Sequence, residues 1–226
     1  MEKTPCRDCS FMSSAAAILD DQELSMLENS CAQVEFEKGE VIFKQDAFSS
    51  NVIYIKSGLI KVHLKGFHRE QIIKIAKGPA FLGLPTTFAD KVNQYSATAI
   101  EKTVACFIDM NAFKQFIYKN GVFAYEIIIN LCKEELDNFH KCVNHKQKHL
   151  HGRVADTLLH VSKVIFESDE FIFPLNRNEF GDLICTSRES ISRTLVEFHE
   201  DKIINLRGRH IKILDFERLE HISRNG

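Results

Sequence analysis

Four side chains near the C-terminus have the types and spacing of a base-reading surface: Arg188, Glu189, Ser192 and Arg193. An arginine can grip O6 and N7 of guanine through two hydrogen bonds, and a glutamate can accept from the amino group of cytosine. The small Ser192 can approach a base edge or a phosphate. Downstream, Arg207, Arg209, His210 and Lys212 offer positive charge, which fixes register on phosphates without reading sequence. Thr186 and Ser187 stand where they can contact phosphates as well. The alternative is a solvated helix face with an ordinary cap.

Thiols and imidazoles form the other chemically capable sets. Seven cysteines are present, an odd number. In a reducing compartment they are free thiols or metal ligands rather than structural disulfides. Cys6 and Cys9 are close neighbours in the N-terminal arm, and Cys106 lies in a β-rich run. His140, Cys142, His145, His149 and His151 form a second donor group, with His145 and His149 at helical i, i+4 spacing. No acidic or third ligand accompanies them, which favours a solvated helix face. His63, His68 and Glu70 suggest a cupin-like metal enzyme only weakly. The spacing is His-x4-His, and no later histidine lies in the β region.

The elements that must position these groups follow from pattern. At 226 residues the chain holds one or two domains at about 150 residues each. Hydrophobic residues are 44% and charged residues 27%, values of a globular chain. No stretch reaches the roughly 18 apolar residues of a membrane span, and no signal peptide is visible. The expected location is cytoplasmic. The net charge of −2 does not advertise a nucleic-acid binder, so that reading rests on local features.

Residues 1–15 read as a loosely held arm and 16–32 as a short amphipathic helix. From Val34 to Ile108 short runs rich in Ile, Val, Phe and Tyr alternate with Gly-containing turns, the texture of a β-sandwich or barrel. Residues 111–119 suit a short helix and 121–150 a long one. Ile128, Cys132, Leu136, Phe139, Val143, Lys146 and Leu150 recur at intervals of three and four. This heptad-like seam has one polar lapse, at Lys146. Such a seam wants a partner helix, and a second copy of the chain is the simplest. The alternative is that it packs on the β domain. Gly152 interrupts the helical run, and 153–167 is again amphipathic.

In the C-terminal unit Asn176 and Glu179 have capping-box spacing, and Phe180, Leu183 and Ile184 give the first helix an inner face. Thr186-Ser187-Arg188-Glu189 reads as a second capping box. It opens a helix whose inner stripe is Ile191, Leu195 and Phe198. About three residues separate the helices, which makes a helix-turn-helix with the base-reading side chains in the first two turns of its second helix. Two β-prone runs flanking Arg207-Gly208-Arg209-His210 suggest a wing.

At this point the chain resembles the CRP/FNR family of bacterial transcription regulators. The likeness is carried by Lys38-Gly39-Glu40-Val41-Ile42-Phe43 and Ile53 to Val62, by Phe81-Leu82-Gly83 with Ser96-Ala97-Thr98-Ala99, and by Thr186 to Arg193. The resemblance implies an α+β fold in three parts. These are an N-terminal β-roll of cyclic-nucleotide-binding-like, jelly-roll type (1–120), a dimerisation helix (121–150) and a winged helix-turn-helix (151–226). It implies a homodimer on a palindromic operator with TGA-like half-sites, and RNA polymerase as a partner. Its effector pocket would involve Phe81, Gly83, Leu84, Tyr95 and Ser96.

Cyclic-nucleotide sensors of the family hold ribose with a Glu and the cyclic phosphate with an Arg. Leu84 and Tyr95 stand at those positions, so cAMP is not the expected ligand. A desolvated anion without a cationic partner is costly. FNR-type members carry an iron–sulfur cluster on an N-terminal cysteine group plus one cysteine in the β-roll. Cys6, Cys9 and Cys106 match, but the third N-terminal position is Ala15. Such clusters usually take four cysteines, so a carboxylate, water or Cys31 would have to fill in. The competing readings are a cupin-like enzyme and a structural module that binds a partner through its long helix.

Overall fold

The computed structural model describes residues 6–66 and 69–226; the side chains of Asp8 and His145 lie outside the description. The chain divides into two compact units, 1–69 with 73–135, and 70–72 with 136–226.

In the first unit, 3-10 turns at Cys6–Asp8 and Ala16–Ile18 precede α1 (Asp21–Asn29). The strands are β1 (Cys31–Phe36), β2 (Val41–Phe43), β3 (Asn51–Ser57), β4 (Leu59–Lys65), β5 (Glu70–Lys77), β6 (Ala80–Leu82), β7 (Ser96–Ala99) and β8 (Thr103–Asp109). A short α2 (Leu84–Phe88) separates β6 from β7, and α3 (Met110–Lys119) follows β8. The strands form two sheets of order β1-β8-β3-β6 and β2-β7-β4-β5. At the tight β3–β4 turn Gly58 has φ +101°, and a Cβ there would lie 2.5 Å from the Thr103 hydroxyl. Only glycine fits that approach.

Alternation along the strands sends side chains to two cores. Ile42, Ile53, Ile55, Ile60, Val62, Leu82, Ala97 and Ala105 make one cluster, filled from both sheets. On the opposite side of the first sheet, Val52, Tyr54 and Ile108 meet Leu24 and Leu27 of α1 and Phe113 and Phe116 of α3. Phe123 and Ile127, from the start of α4 (Gly121–Gln147), complete that second cluster. Each fully buried side chain of this size contributes about 1.5–3 kcal/mol. The described part of the arm is docked rather than loose: Ala15 is fully buried, and the Tyr54 hydroxyl donates to the Phe11 carbonyl at 2.7 Å. The 16–32 segment is correspondingly a 3-10 turn, then α1, then the start of β1. Asp20 caps α1 in a reciprocal box with Glu23.

The second unit contains α5 (Leu150–His160) continuing into a π-helical turn (Val161–Phe166), β9 (Glu170–Ile172), α6 (Arg177–Leu183), α7 (Arg188–Glu200), β10 (Ile204–Arg207), β11 (His210–Ile213) and α8 (Phe216–Asn225). Its sheet has the antiparallel order β10-β11-β9. The helical break falls at 148–149, ahead of Gly152, which sits inside α5. The core gathers Val154, Leu158, Phe173, Phe180, Ile191, Leu195 and Leu219, with Phe173 and Phe180 stacked at 4.4 Å. Among the described residues no helix is long and apolar enough to cross a membrane.

Candidate nucleic-acid interface and effector site

α6 is opened by Asn176, whose side chain accepts from the Glu179 amide at 3.0 Å, while the Glu179 carboxylate accepts from the Asn176 amide at 2.9 Å. A four-residue turn follows, with Cys185 at φ 58°. The turn is tight because the Thr186 amide donates to the Gly181 carbonyl at 2.9 Å, and a Cβ on Gly181 would lie 2.7 Å from the Thr186 oxygen.

The second capping box does not form as read. Ser187 is the cap and accepts from the Ser190 amide at 3.2 Å. The Thr186 amide is committed to the turn, so α7 begins one residue later and Glu189 falls one place short of closing a box. The Glu189 carboxyl is held below the usual range by its own backbone amide, then by the Ser187 hydroxyl and by Arg188. It is therefore an ionised acceptor.

Ile191, Leu195 and Phe198 bury the inner stripe of α7, as the sequence pattern required. On its other side Arg188, Glu189 and Arg193 are exposed and Ser192 is half-buried. The four base-reading candidates thus share the accessible side of one helix.

The β10–β11 hairpin pairs Arg207 with His210 across Gly208. Its basic residues are not equivalent. Arg207 is exposed. The Arg209 guanidinium turns inward and donates to the Phe173 carbonyl at 2.7 Å and the Pro174 carbonyl at 2.7 Å. His210 and Lys212 each lie 3.2 Å from the Glu170 carboxylate. Arg177, which sequence reasoning passed over, donates to the Gly208 carbonyl at 2.7 Å and ties α6 to the hairpin tip. Burial lowers its pKa, and the charge of Arg209 lowers it further.

In the first unit the expected effector residues are divided between the two clusters. The Gly83 amide donates to the Tyr95 hydroxyl at 3.0 Å, and the Tyr95 ring packs 5.5 Å from Phe43. Burial pushes the Tyr95 phenol up to about 12, against the lowering effect of the Gly83 amide. Ser96 accepts from the Gln45 amide at 2.9 Å. An anion approaching the start of α2 would have to displace the Tyr95 hydroxyl, with no cation supplied in return. Leu84 is buried in the cluster outside the roll, and Phe81 faces that same cluster, 4.9 Å from Tyr54. The strand alternation places Phe81 there, because its register partner is Tyr54.

That outer cluster contains a cavity lined by Cys6, Cys9, Cys31 and Cys106, four of the seven cysteines. Cys31 is the one that spacing alone could not single out. The sequence pattern put it at the end of the 16–32 helix, whereas it opens β1. The resemblance puts a cluster ligand at Ala15, but Ala15 is fully buried among apolar side chains. The donor chemistry of the cavity does fit an iron–sulfur centre, which takes four cysteine thiolates.

Among its described residues the histidine-rich group on α4 and α5 brings no three donors together for a metal ion. His151 is bonded to Glu197 at 2.7 Å, and the side chain of His145 lies outside the described residues. Of the cupin-like set, His63 is bonded to Thr98 at 2.8 Å, and His68 lies outside the described residues. Among the described residues no three His, Cys, Asp or Glu side chains stand close enough to hold a single metal ion.

α4 carries two apolar sides with different fates. Phe123 and Ile127 are buried against the β-roll. Ile128, Leu136, Phe139 and Val143 remain 53%, 57%, 56% and 49% exposed, and Cys132 is exposed too. Within the first unit, Ile128 and Cys132 of the seam are therefore not on the side of α4 that packs on the β-roll. Val122 and Tyr125, also exposed, extend it towards the start of the helix.

Residues 33–120 match the cyclic nucleotide-binding domain family, and residues 152–222 match the Crp-like helix-turn-helix domain family. The chain belongs to the CRP/FNR family of transcription regulators. The family consists of regulators with a DNA-binding helix-turn-helix, not of enzymes. The chain is 23% identical over 217 residues to the transcriptional activator protein FnrA of Stutzerimonas stutzeri, covering 93% of this chain and 88% of that one. It is 24% identical over 224 residues to the nitrogen fixation regulation protein FixK of Bradyrhizobium diazoefficiens, covering 96% and 93%. The fold is shared with a CRP/FNR-family regulator from Eubacterium rectale, at TM-score 0.79 and 18% identity over 94% of this chain and 99% of that one.

Proposed function

We propose that this chain is a homodimeric regulator that reads a palindromic operator with α7 and answers a signal other than cAMP. The observation that carries the reading is the accessible side of α7, where Arg188, Glu189, Ser192 and Arg193 stand opposite a fully buried stripe. Arg188 and Arg193 supply donors for guanine, and the ionised Glu189 supplies an acceptor for the cytosine amino group. Thr186 and Ser187 at the start of α7, with Arg207, His210 and Lys212 of the wing, are assigned to phosphates. Arg177 joins them, since its charge lies near that of Arg209 and an anion there relieves the repulsion. Arg209 positions the wing through its two carbonyl contacts.

The exposed seam of Ile128, Cys132, Leu136, Phe139 and Val143 is the dimer contact, which doubles the reading helix by two-fold symmetry. RNA polymerase is the partner through which bound operator becomes transcription. The test is selection of operators from random DNA, followed by binding with Arg193→Ala. Loss of one good bidentate contact should cost about 1–3 kcal/mol per half-site. Equal affinity of variant and parent for the selected operator sinks the assignment.

A second reading concerns the signal. The cavity lined by Cys6, Cys9, Cys31 and Cys106 favours an iron–sulfur centre that couples oxygen, nitric oxide or redox state to DNA binding. When bound, such a centre supplies reversible electron transfer and sensitivity to oxidants. The cysteines would hold it as thiolates, and Phe81, Phe113 and Phe123 would exclude water from it. Tyr54, anchored to the arm at Phe11, keeps the arm cysteines over the sheet. Iron and sulfide analysis of anaerobically purified protein tests this reading. Protein free of both is the outcome against it.

A further inference from the structure

We infer that Cys31, at the first position of β1, supplies the fourth thiolate of an iron–sulfur site completed by Cys6, Cys9 and Cys106. The inference rests on the cluster reading of the cavity and assigns a ligand that the family pattern would place at Ala15.

Two segments of the chain bring the thiols together. Cys6 opens a 3-10 turn that Cys9 follows, and the Cys9 amide donates to the Cys6 carbonyl at 3.2 Å. Residues three apart eclipse on such a turn, so both side chains project to one side. The other two thiols belong to the sheet beneath. Cys31 is paired with Ile108, and Gln33 with Cys106. Register partners share a sheet face, and so do residues two apart on one strand. Cys31 and Cys106 therefore point to the same side and are diagonal neighbours. That is the side that carries Tyr54, the register partner of Cys106, and it forms the floor of the cavity.

The spacing selects among thiol chemistries. Diagonal residues on adjacent antiparallel strands lie about 7–8 Å apart. This is outside the span a disulfide accepts without backbone movement, about 4.4–6.8 Å between Cα atoms. A single metal ion needs its donors converging on one point, and among the described residues no three donors do so. A polynuclear centre takes four thiolates set around it, and these four line one cavity. Lys56, also on the cavity wall, contributes positive charge beside a centre rich in thiolates.

The probe is ferrous iron with inorganic sulfide, supplied anaerobically to the full-length chain. The parent is expected to take up about four iron and four sulfide per chain with visible absorption. Cys31→Ser is expected to lose at least one iron per chain, to change the electron paramagnetic resonance signal of the reduced or oxidised centre, and to bleach faster in air. Cys142→Ser, a change at an exposed position on α4, should match the parent. A measurement on the unaltered chain guards against misfolding of the variant. Loaded parent should protect Cys31 from alkylation together with Cys6, Cys9 and Cys106, and a chelator should expose all four, while Cys142 reacts in both states. If the parent loads fully and Cys31→Ser loads equally, with Cys31 alkylated in the loaded parent, the assignment of Cys31 is wrong and the cluster reading stands. If the parent takes up no iron or sulfide, both are overturned.

Discussion

The arginines of the second unit show how little a residue type says about its task. Arg193 and Arg209 are equally basic, yet one is exposed on α7 and the other is bound to two backbone carbonyls. Their replacement should therefore differ in kind. Arg207→Ala is expected to weaken operator and non-operator DNA alike and to reduce the salt slope by about 1. Arg209→Ala leaves the Phe173 and Pro174 carbonyls without their donor and should lower unfolding stability by about 1–3 kcal/mol. Titration of DNA binding against salt and urea unfolding of each variant separate the two effects. Equal salt slopes for Arg207→Ala and parent would remove Arg207 from the phosphate set.

Among the elements, α5 carries a titratable group whose surroundings set a pH dependence. Burial lowers the His160 pKa, and Lys141 lowers it further, against the opposing charges of Asp137 and Asp156. The unfolded state, near 6.5, thus takes up a proton before the folded state does. Stability is full above that value and falls as pH drops through it towards the lower folded value. Urea midpoints measured at about pH 8 and about pH 5.5 should differ less in His160→Asn than in the parent. An unchanged difference would contradict the burial argument. The elements themselves were legible where apolar period and cap signals coincided, as in α6 and α7. The start of α7 was not, because Thr186 and Ser187 both qualify as caps. The choice belongs to the Thr186 amide, which the Gly181 carbonyl claims.

For the whole molecule, the exposed seam on α4 ties assembly to function. Leu136→Asp together with Phe139→Asp should yield monomers by sedimentation and abolish tight operator binding. Each apolar side chain withdrawn from water in the pair contributes about 1.5–3 kcal/mol, and one reading helix contacts only a half-site. A dimer that survives both changes would rule the seam out. At this scale the β-roll also divides its expected effector residues between two clusters. Tyr95 satisfies the Gly83 amide from within the chain, and a cavity lies on the other side of the sheet, among cysteines.

By itself the sequence determined the β-rich run followed by helices, the buried stripe of α7 and the residues on its accessible side, because strand and helix periods are local; the three-part α+β architecture came with the family resemblance. Through the resemblance it also put Leu84 and Tyr95 where cyclic-nucleotide sensors of the family carry their Glu and Arg. Only the tertiary structure decided which basic residues are spent on backbone carbonyls, which side of α4 is covered by the β-roll, and that Cys31 joins Cys6, Cys9 and Cys106. Each of those depends on strand register and on packing between residues far apart in the chain, and no local pattern encodes them.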